Sequence, residues 1–142
     1  MAVRPNQSVT STTPPASAVL TKIVQVARTD LTAFDAFVLP KGTVIAGAYV
    51  MGTTASDSNT SASISLGSNP GTTNEVIVAF DVKGAGGQGY AAVAAAGGTS
   101  MGAQLTADTL IKAKYTESGT ATTGGPWLVK VEYYNPQQGF TF

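Results

Sequence analysis

The sequence predicts an all-β protein built as a single antiparallel β-sandwich, and three observations support this prediction. The length of 142 residues suits one domain with one hydrophobic core. Several short segments alternate apolar and polar residues, which is the period of a half-buried strand. Clusters of Gly, Pro, Ser and Asn separate these segments at spacings of about 8–12 residues, as is typical of sandwiches.

The first 19 residues are predicted to form an extended N-terminal arm. They contain three of the seven prolines among many Ser and Thr residues, and too few bulky apolar groups to fold alone. The alternating pattern begins at Leu20. The predicted organisation is therefore an arm over residues 1–19 and a sandwich domain over residues 20–142, with a C-terminal tail over residues 135–142.

The central strands differ in how strongly their patterns indicate a strand. Ser61–Leu66 alternates serine with apolar residues, so its apolar residues are expected to face the core. Val44–Met51 is apolar in both alternating sets, so the core or a neighbouring molecule is expected to cover both of its faces. The apolar run Glu75–Phe80 is too short to distinguish a strand from a helical turn.

The C-terminal half is expected to end in two well-marked strands after a long loop. Residues 83–101 are rich in Gly and Ala and are predicted to be a surface loop with at most one irregular strand. In the two strands, the residues expected to face the core are Ile111, Ala113, Tyr115, Trp127, Val129, Val131 and Tyr133. Together the elements favour a sandwich of about seven strands in a jelly-roll-like arrangement.

The charge balance argues against two classes of partner. Eight basic and eight acidic residues give a formal net charge of zero, so no long-range field attracts nucleic acid or anionic lipid. No stretch approaches the roughly 20 apolar residues that span a bilayer. We therefore expect no direct nucleic-acid contact and no membrane insertion, whereas neutrality favours association with protein surfaces.

Two residue types on which many catalytic mechanisms depend are absent. The chain has no histidine and no cysteine, which removes the commonest general base, the imidazole and thiolate metal ligands, and the thiolate nucleophile. The acidic residues lie mostly at turns and strand ends, where carboxylates cap backbone N–H groups: Asp30, Asp35, Asp57, Glu75, Asp81, Asp108, Glu117 and Glu132. We therefore predict that the protein is not an enzyme, with no catalytic, cofactor-binding or metal-ligating residue.

Three patterns imitate functional sites. Gly84–Gly89 matches G-x-G-x-x-G, with Asp108 at about the distance of a ribose-binding acid, but the following Ala/Gly-rich stretch does not supply the βαβ frame of a dinucleotide site. Asp57–Thr60 resembles the start of a calcium loop but lacks its register and its closing glutamate. Trp127, Tyr133 and Tyr134 could stack on a sugar or a base, but alternation places the first two on the core face.

Five segments together resemble small β-rich virion proteins of tailed bacteriophages, in which a turn with the pattern P-x-G, a serine-alternating strand, a glycine loop and a final strand pair recur. The segments are Leu39–Ile45, Ser61–Gly67, Val76–Lys83, Leu110–Thr116 and Trp127–Tyr134. The resemblance extends over residues 20–134. It implies a capsid decoration or cement protein that binds across neighbouring subunits of the major capsid protein, as a homo-oligomer for which a trimer is favoured and a dimer is possible.

The resemblance also implies a location on the exterior of the capsid in the virion, after synthesis in the host cytoplasm. Residues 1–19 and the Gly-rich loop at residues 84–102 are the expected contact segments. Two alternatives remain open: another virion component, such as a head-fibre base, a neck component or a tail-associated ring, and a carbohydrate-binding β-sandwich module. Exposed aromatic residues would favour the carbohydrate-binding alternative, and buried Trp127 and Tyr133 would argue against it.

Overall fold

Eight β-strands make up the fold in the computed structural model, which describes residues 18–83, 89–94, 98 and 100–136. In chain order the strands are β1 (Leu20–Val26), β2 (Phe34–Leu39), β3 (Val44–Gly52), β4 (Ser61–Gly67), β5 (Ile77–Asp81), β6 (Gly89–Ala94), β7 (Thr109–Ser118) and β8 (Trp127–Tyr134). The described residues contain no helix, and hence no helix that could cross a membrane. The all-β prediction is confirmed.

The strands form two four-stranded antiparallel sheets packed as a sandwich. The first sheet has the order β1-β8-β3-β6 and the second the order β2-β7-β4-β5. Strands that lie equally far from the β4–β5 connection pair with each other: β1 with β8, β2 with β7, β3 with β6 and β4 with β5. This is the jelly-roll arrangement, so the prediction of a jelly-roll-like sandwich is confirmed.

The core lies between the sheets and is filled by the alternate residues that the sequence pattern indicates. The residues predicted to face inward on β7 and β8 are all buried, and so are Ala62, Ile64 and Leu66 of β4. The indole of Trp127 stacks on the ring of Tyr115, with ring centroids 5.4 Å apart and an angle of 11° between the planes. The two largest fully buried side chains thus come from different sheets and pack against each other.

A bulge explains the unusual pattern of β3. The register against β8 shifts between Ile45 and Gly47, and Ala46 is exposed at that point. Beyond the bulge, Ala48 and Val50 face the core, while Tyr49 lies half-buried on the outer face under the ammonium of Lys130, 4.8 Å from the ring centroid. The second face of β3 is therefore partly covered by side chains of its own sheet.

The structure resolves the ambiguous segments and differs from the sequence predictions in detail. The run that was ambiguous between strand and helical turn contributes to β5, and the predicted Gly-rich loop contains β6. Ser65, expected on the solvent face of β4, is only 9% exposed. Residues 1–17 and 137–142, which include most of the predicted arm and tail, lie outside the described residues.

Candidate interaction surface

The acidic side chains hold turns and strands rather than forming a reactive cluster. Each of the eight carboxylates has a hydrogen-bond or ion-pair partner within the chain: Ala27 for Asp30, Lys112 for Asp35, Thr122 and Thr123 for Asp57, Ser68, Asn69 and Asn74 for Glu75, Lys83 for Asp81, Lys41 for Asp108, Tyr115 and Ala121 for Glu117, and Lys130 for Glu132. In the part of the chain that the structure describes, no three acids converge on a possible metal site.

Asp57 shows most clearly what these carboxylates do. Its Oδ1 accepts hydrogen bonds from the backbone N–H groups of Thr122 and Thr123, both at 2.8 Å, and its Oδ2 accepts one from the Thr122 hydroxyl at 2.6 Å. These hydrogen bonds stabilise the ionised form and hold the pKa of the Asp57 carboxyl well below its usual range. Asp57 therefore joins the β3–β4 and β7–β8 connections, which agrees with the prediction of a polar turn.

A buried network of polar side chains beside the core aromatics is also structural. The hydroxyls of Tyr115 and Ser56 are hydrogen-bonded at 2.8 Å, and the Tyr115 hydroxyl donates to Glu117 Oε2 at 3.0 Å. Burial raises the pKa of Tyr115, so its hydroxyl stays protonated and remains a donor. Glu117 also accepts from the backbone N–H of Ala121, so the network fixes the β7–β8 connection.

The fold also accounts for the aromatic cluster and the glycine-rich motif that resemble functional sites in the sequence. Trp127 is fully buried and Tyr133 is nearly so, which confirms that they pack in the core and do not form a stacking platform. Gly89 begins strand β6, where a dinucleotide site would need a helix. Asp108 accepts a hydrogen bond from the backbone N–H of Lys41 at 2.8 Å, which gives it a structural partner.

The predicted contact segments are described only in part. Val19, in the last part of the arm, is highly exposed just before β1. At the end of the Gly-rich loop, Gly98 donates a backbone hydrogen bond to Val76 and Ser100 donates one to Glu75. These hydrogen bonds hold this part of the loop against the sandwich. A partner would therefore bind it in this conformation. Residues 84–88, 95–97 and 99 lie outside the described residues.

An apolar patch that the sequence analysis did not single out lies on the outer face of the first sheet. Ile23 of β1 and Leu128 of β8 are large exposed hydrophobic residues at positions where alternation would place polar ones. Beside Leu128 a shallow cavity of about 270 Å³ is lined mainly by Gln25, Met51, Pro126 and Leu128. In the sequence, the signal for this surface is an apolar residue at a position where the alternation of its strand predicts a polar one.

The outer face of the second sheet also exposes large hydrophobic residues, close to charged ones. Val38 of β2 and Leu110 of β7 are paired neighbours and are both exposed. The ion pair between Asp35 and Lys112 lies on the same two strands. Val78 of β5 is exposed as well, so both sheets carry large exposed hydrophobic residues.

Two solved structures are similar to this chain over nearly its whole length. A chain of the acidic-stable capsid structure of the Helicobacter pylori bacteriophage KHP30 matches with a TM-score of 0.63 and 13% identity, covering 86% of this chain and 91% of that chain. A chain of the capsid asymmetric unit of the cyanophage Pam1 matches with a TM-score of 0.56 and 17% identity, covering 96% and 98%. No family model and no curated protein sequence matches. At these identities the comparisons establish a shared fold.

Proposed function

We propose that this protein is a bacteriophage virion structural protein that decorates or cements the capsid by binding across subunits of the major capsid protein. The observation that carries the proposal is the match of the whole jelly roll to a chain in each of two phage capsid structures. Because the alignments cover nearly all of both members of each pair, these chains are about as long as this one and carry no large additional domain.

The described surface supports binding rather than chemistry. Its carboxylates are occupied in turns and ion pairs, while the outer face of the first sheet exposes Ile23 and Leu128. Apolar patches rimmed by polar groups are typical of protein–protein contacts. We therefore propose a non-catalytic role on the capsid exterior, with the protein acting as a homo-oligomer.

The proposed mechanism is stabilisation by mass action. A protein that binds assembled capsomers but not free subunits shifts the equilibrium toward the assembled shell. Several contacts made by one oligomer raise the overall avidity without requiring a strong individual contact. The arm at residues 1–19 would add backbone pairing to a neighbouring sheet edge when it binds, at the cost of its conformational entropy.

The test compares the full chain with a variant lacking residues 2–18, in binding to capsids from which the protein has been removed. The deletion is expected to reduce occupancy and to leave the midpoint of unfolding unchanged, because the described core begins after the arm. A second variant, in which a Gly/Ser sequence of equal length replaces residues 2–18, is the matched control for arm length.

Cryo-electron microscopy of the occupied particles locates the protein. Density at many equivalent positions over the outer shell is the expected result. A single ring at the neck or tail would instead favour the alternative virion location, and failure of the full chain to bind any particle would overturn the proposal. Unchanged occupancy in both arm variants would show that the arm makes no contribution.

A further inference from the structure

The free edge of β1 is the most regular sheet edge in the described residues. All seven residues of β1 pair with β8 without interruption, from Leu20 opposite Tyr133 to Val26 opposite Trp127. The other three edge strands, β2, β5 and β6, each pair with their neighbour across a register shift. Bulges disfavour further pairing at an edge, whereas a regular edge presents a row of unpaired N–H and C=O groups. The β1 edge is therefore the best template for an added strand.

The most exposed large hydrophobic residues of the described chain lie on one face of this edge. Val19 is 59% exposed and Ile23 is 56% exposed. Thr21 and Gln25 share this outward face because side chains alternate along a strand. The charged residue of β1, Lys22, belongs to the opposite set of positions and is half-buried. The outward face of the edge thus carries no charge that would prevent another strand from pairing.

We propose that two copies of this chain associate through their β1 edges, antiparallel about a two-fold axis at Thr21. In this register Thr21 lies opposite the partner's Thr21, and Val19 lies opposite the partner's Ile23. The same apolar pair forms a second time across the axis, so each of the exposed residues gains an apolar neighbour on the same sheet face. The product is a dimer in which the two first sheets join into one sheet of eight strands, four from each copy.

The symmetry of the sequence around Thr21 favours a second copy over a different protein. A two-fold interface must be complementary to itself, and Val19 and Ile23 lie equally far from Thr21. Opposed threonines and opposed β-branched apolar residues are favourable cross-strand pairs. An axis at Ile23 would instead oppose the two Ile23 residues and place Val19 opposite Ala27, so that Ile23→Cys alone, and not Thr21→Cys alone, would form the disulfide-linked dimer. The zero net charge removes long-range repulsion between copies.

This inference is independent of the virion role, since it concerns the purified chain alone, and it selects the dimer over the trimer that the resemblance favours. Charge variants at the axis test it by light scattering. The full chain is expected to have the mass of two chains. Thr21→Lys and Thr21→Glu are each expected to be monomeric, because like charges would lie directly opposite each other, and an equimolar mixture is expected to form dimers again.

Leu128→Lys and Leu128→Glu are the matched controls. Leu128 is 43% exposed on the same sheet face but lies on an inner strand, so these variants are expected to remain dimeric. A full chain that is monomeric at the highest attainable concentration would overturn the proposal. An oligomer whose mass the Thr21 variants do not change would overturn it as well.

Single cysteines test the register directly, since the chain contains none of its own. Thr21→Cys is expected to form a disulfide-linked dimer under oxidising conditions, because residues opposite each other in paired strands lie within bridging distance. Val78→Cys, on the edge strand β5, is the control and is expected to stay unlinked. A mixture of Val19→Cys and Ile23→Cys should form mixed dimers in preference to either homodimer, and linkage at Val78 equal to that at Thr21 would contradict the proposed edge.

Discussion

Trp127 and Tyr115 connect the two sheets at the centre of the core. Trp127 belongs to β8 of the first sheet and Tyr115 to β7 of the second, and their rings are stacked. The Tyr115 hydroxyl is hydrogen-bonded to Ser56 and Glu117, so the buried ring carries no unsatisfied polar group. Such a pair gains both from the burial of a large apolar area and from the geometry of the rings.

Trp127→Ala is expected to reduce the free energy of unfolding by about 3–5 kcal/mol, because it removes a fully buried side chain and leaves a cavity against Tyr115. Chemical denaturation of the variant measures the loss. Leu128→Ala, one residue further on the same strand but exposed, is the control and should stay within about 0.5 kcal/mol of the natural chain. Equal losses in the two variants would contradict the described strand orientation.

Asp57 predicts a specific dependence of stability on acid. The pKa of Asp57 is lower in the folded chain than in the unfolded chain. When the pH falls below about 4, the unfolded chain therefore binds a proton at Asp57 before the folded chain does. The contribution of Asp57 is therefore complete above that pH and is lost progressively at lower pH.

The measurement is thermal unfolding of the natural chain and of Asp57→Asn between neutral pH and strong acid. The difference in stability between them should be largest near neutrality and should shrink as the pH falls. A difference that stays constant over the whole range would show that ionisation of Asp57 does not stabilise the β3–β4 and β7–β8 connections.

At the scale of the element, alternation in the sequence located the two inner strands β7 and β8. β7 and β8 follow the predicted pattern throughout, since each lies inside its sheet and has one face on the core. The bulge at Ala46 changes the phase of β3, which makes both of its alternating sets apolar. The sequence shows that β3 is apolar in both alternating sets, and the pairing with β8 shows that core residues fall in both sets because of the bulge.

The segment around Gly98 packs closely against the residues before β5, and a substitution at Gly98 tests this contact. A Cβ at this position would lie 2.3 Å from backbone atoms of Asn74 and Glu75, so the segment would have to move away and would lose its backbone hydrogen bonds to the residues before β5. Gly98→Ala is expected to destabilise the protein by about 1–3 kcal/mol, which thermal denaturation measures.

Gly71→Ala is the control for this prediction. Gly71 lies in an exposed turn, and the nearest atom to an added Cβ is the Asn69 side-chain oxygen at 3.3 Å. Its effect on stability should stay within about 0.5 kcal/mol. If Gly98→Ala were equally mild, the close approach of the two segments would be contradicted.

For the whole molecule, the jelly roll brings both ends of the described chain into one sheet. β1 pairs with β8, so strands separated by nearly the whole sequence complete the same sheet. The arm before β1 and the tail after β8 therefore start from the same sheet. Under the proposed function, both segments would be available to one partner surface.

The balanced charge predicts that the proposed binding to capsids depends little on salt. With eight basic and eight acidic residues and no net charge, the proposed contacts rest on apolar area and backbone pairing. Sedimentation binding at low and at high salt concentration should give similar occupancies. A steep fall with added salt would instead indicate contacts made mainly by charge.

The sequence by itself determined the all-β class, the inward residues of β4, β7 and β8, and the turn-forming role of Asp57, because alternation and turn chemistry are local properties of the chain. Only the tertiary structure decided that β5 and β6 complete the two sheets, since short apolar or Gly-rich runs become strands through their partners. It also decided that Ile23 belongs to a strand that pairs regularly and lies at a sheet edge among the described residues. Edges are a property of strand order, and strand order is set by contacts between residues distant in the sequence.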